Sequence, residues 1–432
     1  MGQPSTMNEV LDLIDRDELT KLAIDLGSVY GPQAHERTAA EFVLNWLDNN
    51  GIECFLQEVS DDRANTVGTI RGSGGGLSLI FNSHLDTNYS PDTDRDPWTV
   101  GKLEKRETEV WREDDTIYGM NVVNDRGPMA AFLMAAKAIK NSGVKLKGDL
   151  ILTSVMGEID RAPIDEFQGY QYLGEGAGAR HLVHHGISAD FALVAECTDY
   201  EVTWTECGVA WFKITVHGRP VYTPMVEHPQ SPKDNLNAIV RMTSIIQALE
   251  EWAAGYQEKH RYNFPGGTVI PKANIGAIRG GIPYRLQTSA RICSIYLDVR
   301  LPPGDGSLIV KEELLEVLKR TGIEADVETY LYRRGWEGKN VDPIVDAVNR
   351  AHEQIIGGKP KEVTPSTTSQ WRDINVFNEA GIPAVTYGPL VHRHSEMKID
   401  DLVNTSKLYA LIALDICSRP KISGTEETPS SG

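Results

Sequence analysis

Three short apolar runs, Leu77–Asn82, Asp149–Val155 and Ala189–Ala195, each pass at the carboxyl end into polar residues that can carry chemistry. The first leads into Ser83-His84-Leu85-Asp86-Thr87, the second into Met156-Gly157-Glu158-Ile159-Asp160, and the third into Glu196. Runs of this length and composition read as strands buried on both faces, as parallel strands between helices are. In an open α/β sheet, ligands bind beyond the carboxyl ends of the strands. One edge of the predicted sheet therefore gathers a histidine and several acids.

The rest of the chain fits such a sheet. Helical periodicity covers 7–26, 36–50 and 127–141, and strand-like runs cover 53–59 and 65–71, so helices and strands alternate as in α/β domains. The polar segment 88–120 reads as a long functional loop. From residue 208 the character changes: strand 209–217, helix 234–254, strands 273–279 and 290–300, helix 308–321 and strand 324–331. That order is a split βαβ sandwich, a ferredoxin-like α+β unit inserted into the larger domain. The expected organisation is a catalytic domain with a mostly parallel mixed sheet flanked by helices (1–207 and 333–420), an inserted lid or dimerisation domain (208–332), and a disordered tail (421–432).

Composition excludes several classes of partner. The formal charge of −18 opposes binding to nucleic-acid phosphates, and no apolar run approaches the roughly 20 residues that span a bilayer. Hydrophobic content of 41% with 24% charged residues describes a soluble globular protein. Five scattered cysteines without a CxxC pair fit a reducing cytoplasm better than a disulfide framework.

His84, Asp125, Glu158, Glu196 and a histidine in Gly388-Pro-Leu-Val-His-Arg-His-Ser-Glu396 all follow strands or open turns on separate elements. Taken singly, each is more often structural than a ligand. Together, imidazole and carboxylate donors at one sheet edge suit one or two divalent ions: zinc, manganese or cobalt. Asp86, just behind His84, is placed to take the proton of its second ring nitrogen and fix the tautomer. His181, His184 and His185 read as helix surface, and Gly72–Gly76 as a hairpin turn.

The arrangement resembles the metallohydrolase family of carboxypeptidase G, acetylornithine deacetylase, succinyl-diaminopimelate desuccinylase and aminoacylase over nearly the whole chain. The resemblance rests on His-Leu-Asp-Thr after a strand, Asn-Asp-Arg-Gly, Gly-Glu-Ile, Ala-Glu-Cys-Thr, Asn237-Ala-Ile, and Gly381-Ile-Pro-Ala-Val-Thr-Tyr-Gly-Pro with a following His-x-Glu. It implies His84, Asp125 (bridging), Glu158, Glu196 and His394 as metal ligands, with His392 the competitor for the last place. It also implies a homodimer joined through the inserted domain. Two positions depart from the family pattern. Gly157 stands where the family carries the glutamate that shuttles protons, and Tyr222 stands where the inserted domain carries a histidine.

With Glu158 kept as a ligand, a chain lacking that glutamate suits an already activated electrophile. The chain is thus also similar to the family offshoot that removes ammonia from 5-nitroanthranilate, with Asp86, Glu158 and Tyr222 in catalytic roles. Tyr222, Arg285 and Arg291 are the candidate substrate contacts, and Arg300 reads equally as a packing residue. The expected activity is metal-dependent hydrolysis of a C–N bond in a small carboxylate, aromatic deamination first. The alternatives are an N-acyl amino acid deacylase, a dipeptidase using Asp160 as base, and an inactive binding or scaffold relative.

Overall fold

The computed structural model describes residues 4–88, 104–159, 161–392 and 395–421. Two sheets carry the fold. Strands β1 (Glu53–Ser60), β2 (Arg63–Ile70), β3 (Leu79–His84), β4 (Leu150–Val155) and β5 (Phe191–Val194) begin the first. Strands β6 (Gly208–His217), β7 (Ala273–Gly280), β8 (Ile292–Leu301) and β9 (Ala325–Arg333) form the second, and β10 (Ala384–Thr386) returns to complete the first.

The first sheet has the order β1-β2-β4-β3-β5-β10. Its β4, β3, β5 and β10 are parallel, while β1 and β2 form an antiparallel hairpin that joins β4 antiparallel. Strand β3 is buried at every residue, and its alternation divides the core. Leu79 and Phe81 pack towards helices Arg16–Ser28, Gly127–Asn141 and Ile399–Ser418, whereas Ile80 packs with Leu182, Ile374 and Phe377 on the opposite face. Helix Gly127–Asn141 is buried almost all round, as its run of Ala, Met, Leu and Phe requires, and Pro128 in its first turn suits a position whose N–H has no intrahelical acceptor.

The second sheet has the order β7-β8-β6-β9 and is wholly antiparallel. Phe212, Ile214, Ile295 and Leu297 pack on one face against helices Ala238–Lys259 and Ser307–Thr321. The alternate residues face the other way and meet the segment that follows β4. There Asp165 pairs with Lys213 and accepts the Tyr296 hydroxyl at 2.5 Å, and Glu166 accepts Arg279 Nη1 at 2.8 Å. The inserted unit is thus tied to the loop leading away from Glu158.

Two local expectations change. The helix read over 7–26 is two helices, Pro4–Asp12 and Arg16–Ser28, because Asp15 caps the second by accepting Glu18 N at 2.7 Å. The segment read as a loop to residue 120 contains strands Trp111–Glu113 and Thr116–Tyr118, paired with Glu396–Lys398 around the buried Ile117. Arg372 and Asp373, just ahead of helix Ile374–Glu379, turn towards Glu196 and Asn82. Residues 89–103 of the expected loop and 422–432 of the expected tail lie outside the described residues. No helix among the described residues is long and apolar enough to cross a membrane.

Candidate metal centre

Strand register brings the donors level. His84 is opposite Val155 on β4, and Asn82 is opposite Val194 on β5, so Glu196, two residues further along, comes level with His84. Asp125 arrives from the tight turn Val122–Arg126 that opens helix Gly127–Asn141. Arg126 fixes that turn from below. It is fully buried, and its guanidinium donates to the carbonyls of Leu26, Val29, Gly31 and Leu85. Burial lowers its pKa to about 10, so it stays charged at neutral pH.

One donor atom each from His84, Asp125 and Glu196 lies within 4.8 Å of the others, and all three residues are buried. His84 Nδ1 lies 3.0 Å from the Asp86 carbonyl oxygen, which can only accept, so that nitrogen carries the hydrogen. His84 Nε2 faces the Asn124 side chain at 3.1 Å and the Glu158 carboxylate at 3.9 Å. The expectation for Asp86 changes accordingly. Its carboxylate is 3.7 Å from Nδ1, and its oxygens accept Glu158 N at 3.1 Å and Ile159 N at 2.8 Å. Asp86 therefore orients the ring through its backbone and holds the Glu158 turn through its side chain.

The acids crowd one another. Burial, then the nearby Glu196 charge, raises the Asp125 carboxyl well above the usual range, and burial with Glu196 and Asp373 does the same to Glu158. Asp125 Oδ2 accepts the Ser83 hydroxyl at 2.9 Å, but Oδ1 is buried without a hydrogen-bond partner. An orphaned carboxylate oxygen beside an imidazole and a second carboxylate is a donor set that fits a divalent cation. The residues present fit the ion that the sequence implied.

Arg372 and Asp373, adjacent in the sequence and outside the expected set, also reach the site. Arg372, only 3% exposed, pairs with Glu196 through Nε and with Glu206 through Nη1 at 2.9 Å. Burial opposes its charge, yet Glu206 and Glu196 hold the guanidinium above its ordinary pKa. Asp373 accepts Asn82 Nδ2 at 2.9 Å, leaves Oδ1 unpartnered, and is pushed by burial up to about 7. The signal available was an Arg-Asp pair next to the apolar residues Trp371, Ile374, Val376 and Phe377.

The structure also explains Gly157. Its φ of +63° lies in the left-handed region, and a Cβ built there would sit 2.5 Å from Arg63 Nη2 and 2.9 Å from the Leu173 carbonyl oxygen. Arg63 cannot move aside. It donates to Glu36 through Nε at 2.8 Å and Nη2 at 2.7 Å, and through Nη1 to the carbonyls of Tyr170 and Leu173, both at 2.7 Å. A glutamate side chain has no room at this position.

The remaining candidates are dispersed. Arg285 and Arg291 line a cavity of about 810 Å³ where the inserted sheet meets Asp165 and Glu166, with Lys213, Arg279 and Tyr296, and none of the three clustered donors lines it. Tyr222 is 53% exposed and bridges to Thr288 beside the same cavity. Arg300 is held by Asp298 at 2.9 Å, in keeping with its packing reading. His392 Nε2 lies 2.8 Å from Asp401 Oδ2 at the start of the last long helix. His394 and Asp160 lie outside the described residues. His181 and His185 stack on each other on the helix surface.

The profile of Peptidase family M20/M25/M40 matches residues 80–415. The chain is 26% identical to the N-formyl-4-amino-5-aminomethyl-2-methylpyrimidine deformylase of Bacillus subtilis, over 94% of this chain and 96% of the relative. It superposes on aminopeptidase PepT of Bacillus cereus with a TM-score of 0.67 at 18% identity, covering 94% of this chain and 99% of that one. With YXEP of Bacillus subtilis, described as a dinuclear metal-binding peptidase from the M20 family, the TM-score is 0.57 at 14% identity over 93% and 98% of the two chains. The parallel strands that set His84, Asp125 and Glu196 side by side therefore have a family context: the chain belongs to peptidase family M20/M25/M40, whose members are hydrolases of amide and related C–N bonds.

Proposed function

We propose that this chain is a metal-dependent hydrolase that cleaves the C–N bond of an acylated small amine, a formamide or similarly unhindered amide first. The observation that carries this reading is the buried cluster of His84, Asp125 and Glu196 within 4.8 Å, one of its carboxylate oxygens having no protein partner. The deformylase named above supports the substrate class, because the similarity spans nearly all of both chains. We take His84, Asp125, Glu158, Glu196 and His394 as the residues that hold one or two zinc, manganese or cobalt ions. When bound, such an ion polarises the carbonyl and acidifies water.

The protein's own residues do the rest. The Asp86 carbonyl keeps the His84 hydrogen on Nδ1, which leaves Nε2 for the ion. The Asp86 carboxylate holds the turn that points Glu158 at the same place. Gly157 leaves the reaction without the usual proton shuttle, a contribution worth roughly 10²–10⁴ in rate. Glu158 is taken as a ligand, and a ligating carboxylate is ionised, so it does not also carry the proton for the leaving nitrogen. Tyr222, Arg285 and Arg291 present donors and positive charge on the inserted unit, where they would meet an anionic substrate in a homodimer closed through that unit.

The same Gly157 supports a second reading. An electron-poor aromatic amine, of the 5-nitroanthranilate kind, spreads the charge of addition over its own ring and asks less of the protein. The two readings separate in one screen. Metal-free protein reloaded with zinc or manganese is offered N-formyl and N-acyl amines, dipeptides and electron-poor anilines. Turnover of the formyl or acyl amides, abolished by chelation and by Asp125→Asn, is the expected result. Turnover confined to anilines selects the second reading. Undiminished turnover after exhaustive chelation would overturn both.

A further inference from the structure

We propose that the turn Ile164–Phe167 is a clasp that holds the inserted unit shut against the catalytic domain, and that the unit swings open when the clasp lets go. The device is independent of the ion and of the substrate, so it stands or falls apart from the hydrolase reading.

The two units are joined at one end of the second sheet. The chain enters β6 at Gly208 and leaves β9 at Arg333, and the two crossings meet backbone to backbone. A Cβ on Gly208 would lie 2.4 Å from Gly335 N, and one on Gly335 would lie 2.4 Å from Gly208 N, so only glycine fits at either position. Around this pivot Ala162 and Trp371 of the catalytic domain pack with Val209 and Leu331 of the inserted sheet. Apolar contacts have no fixed direction and tolerate a small rotation. Trp371 precedes Arg372, and Ala162 follows Glu158 by four residues, so the packed face is turned towards the segments that carry the candidate metal centre.

The second contact lies farther out. Lys213 is five residues past Gly208, about 16 Å along an extended strand, with Tyr296 opposite it on β8. Ile164 and Phe167 exchange backbone hydrogen bonds at 2.9 and 2.8 Å, which puts Asp165 and Glu166 at the apex of a tight turn. Asp165 binds Lys213 and accepts the Tyr296 hydroxyl at 2.5 Å. Glu166 accepts both Arg279 Nη atoms, at 2.8 and 2.5 Å, and Arg279 pulls its carboxyl down to about 2. The foot of the segment is firm: buried Arg63 donates to the Tyr170 and Leu173 carbonyls at 2.7 Å, and Arg161 donates to Gln33 at 2.6 Å. The tip is weak, because its ion pairs use side chains between 18% and 57% exposed, and such pairs are screened by salt. A firm foot with a weak, outlying tip makes a reversible latch.

Double electron–electron resonance reads the position of the inserted unit directly. Nitroxides at the exposed Asp48 and Glu316 span the two units, attached through ketone-bearing residues that leave the native cysteines alone, with excess unlabelled protein to suppress signals between copies. Wild type at low salt should give one short distance. A longer distance should appear in Asp165→Asn/Glu166→Gln and in wild type at about 1 M sodium chloride. The ratio of open to closed molecules should rise about 5- to 30-fold. Glu166→Arg should open the unit, and Arg279→Glu in the same molecule should shut it again. An unchanged distribution in the folded double variant overturns the proposal, as does wild type already mostly open at low salt. A charge swap that does not restore the short distance overturns the role given to the Glu166 pair. If the double variant does not fold, the wild-type salt series decides: no shift overturns the clasp.

Discussion

Arg63 and Arg372 are both almost fully buried and both paired with a buried glutamate, yet they do opposite things. The Arg63 guanidinium is used up by Glu36 and two backbone carbonyls, and the group fills the space that a side chain at 157 would need. Arg372 binds a carboxylate that is also part of the metal cluster, so its charge enters the chemistry. A buried ion pair is not by itself evidence of stability or of function. What decides its role is whether the carboxylate has a second partner to serve.

The comparison breaks most visibly on the structural side. Arg63→Met leaves Glu36 buried without its cation, and truncating one partner of such a pair costs about 3–5 kcal/mol. Denaturant unfolding of metal-free protein measures this, and a loss below about 1 kcal/mol, the size of a surface pair, would mean that Arg63 is no more structural than Arg372. Gly157→Ala comes next. A non-glycine residue at a φ of +63°, pressed against Arg63 and the Leu173 carbonyl, should cost about 1–3 kcal/mol. If Gly157→Ala unfolds at the wild-type midpoint, the space at 157 is available after all, and steric exclusion no longer explains the missing glutamate.

On the catalytic side the effect is on rate. Asp86→Asn keeps a side-chain oxygen but replaces one acceptor of the Glu158 and Ile159 N–H groups with a donor. Loss of such a supporting contact costs about 10- to 100-fold in metal affinity or activity. The Asp86 carbonyl still holds His84, so the cluster should bind its ion with the wild-type stoichiometry while kcat falls. A fall in stoichiometry would show instead that the side chain, not the carbonyl, orients the ring.

The catalytic sheet was legible because its signal is local. Short apolar runs such as Leu77–Asn82 read as buried strands, and parallel pairing then fixes that His84 and Glu196 emerge at the same edge. Arg372 and Asp373 were not legible, because a charged pair at the start of a helix has the same composition whether it faces solvent or the site. Only the tertiary contact of Asp373 with Asn82, 291 residues away, distinguishes the two. Gly157 was legible as a departure from a pattern but not as a consequence of packing, since Arg63 reaches it from a different strand. The break between helices Pro4–Asp12 and Arg16–Ser28 was visible in principle, as Asp15 three residues before Glu18 is an N-cap signal.

The smallest expected effect lies where the inserted unit meets the loop beyond Glu158. Burial tends to raise the Asp165 carboxyl, but its bonds to Lys213 and Tyr296 outweigh this and leave its pKa below the ordinary value. A carboxylate with a lowered folded-state pKa contributes stability that is complete above about pH 4 and is lost as the pH falls through the folded value. Asp165→Asn should therefore lower the unfolding free energy at neutral pH by no more than about 1 kcal/mol, the range of partly exposed pairs. The difference from wild type should shrink on acidification and on adding salt, which screens the Lys213 charge. A deficit that persists unchanged to low pH would mean that Asp165 acts through packing alone. The loop beyond Glu158 would then be fixed from within the catalytic sheet, by Asp86 and Arg63, with the inserted unit free to move against it.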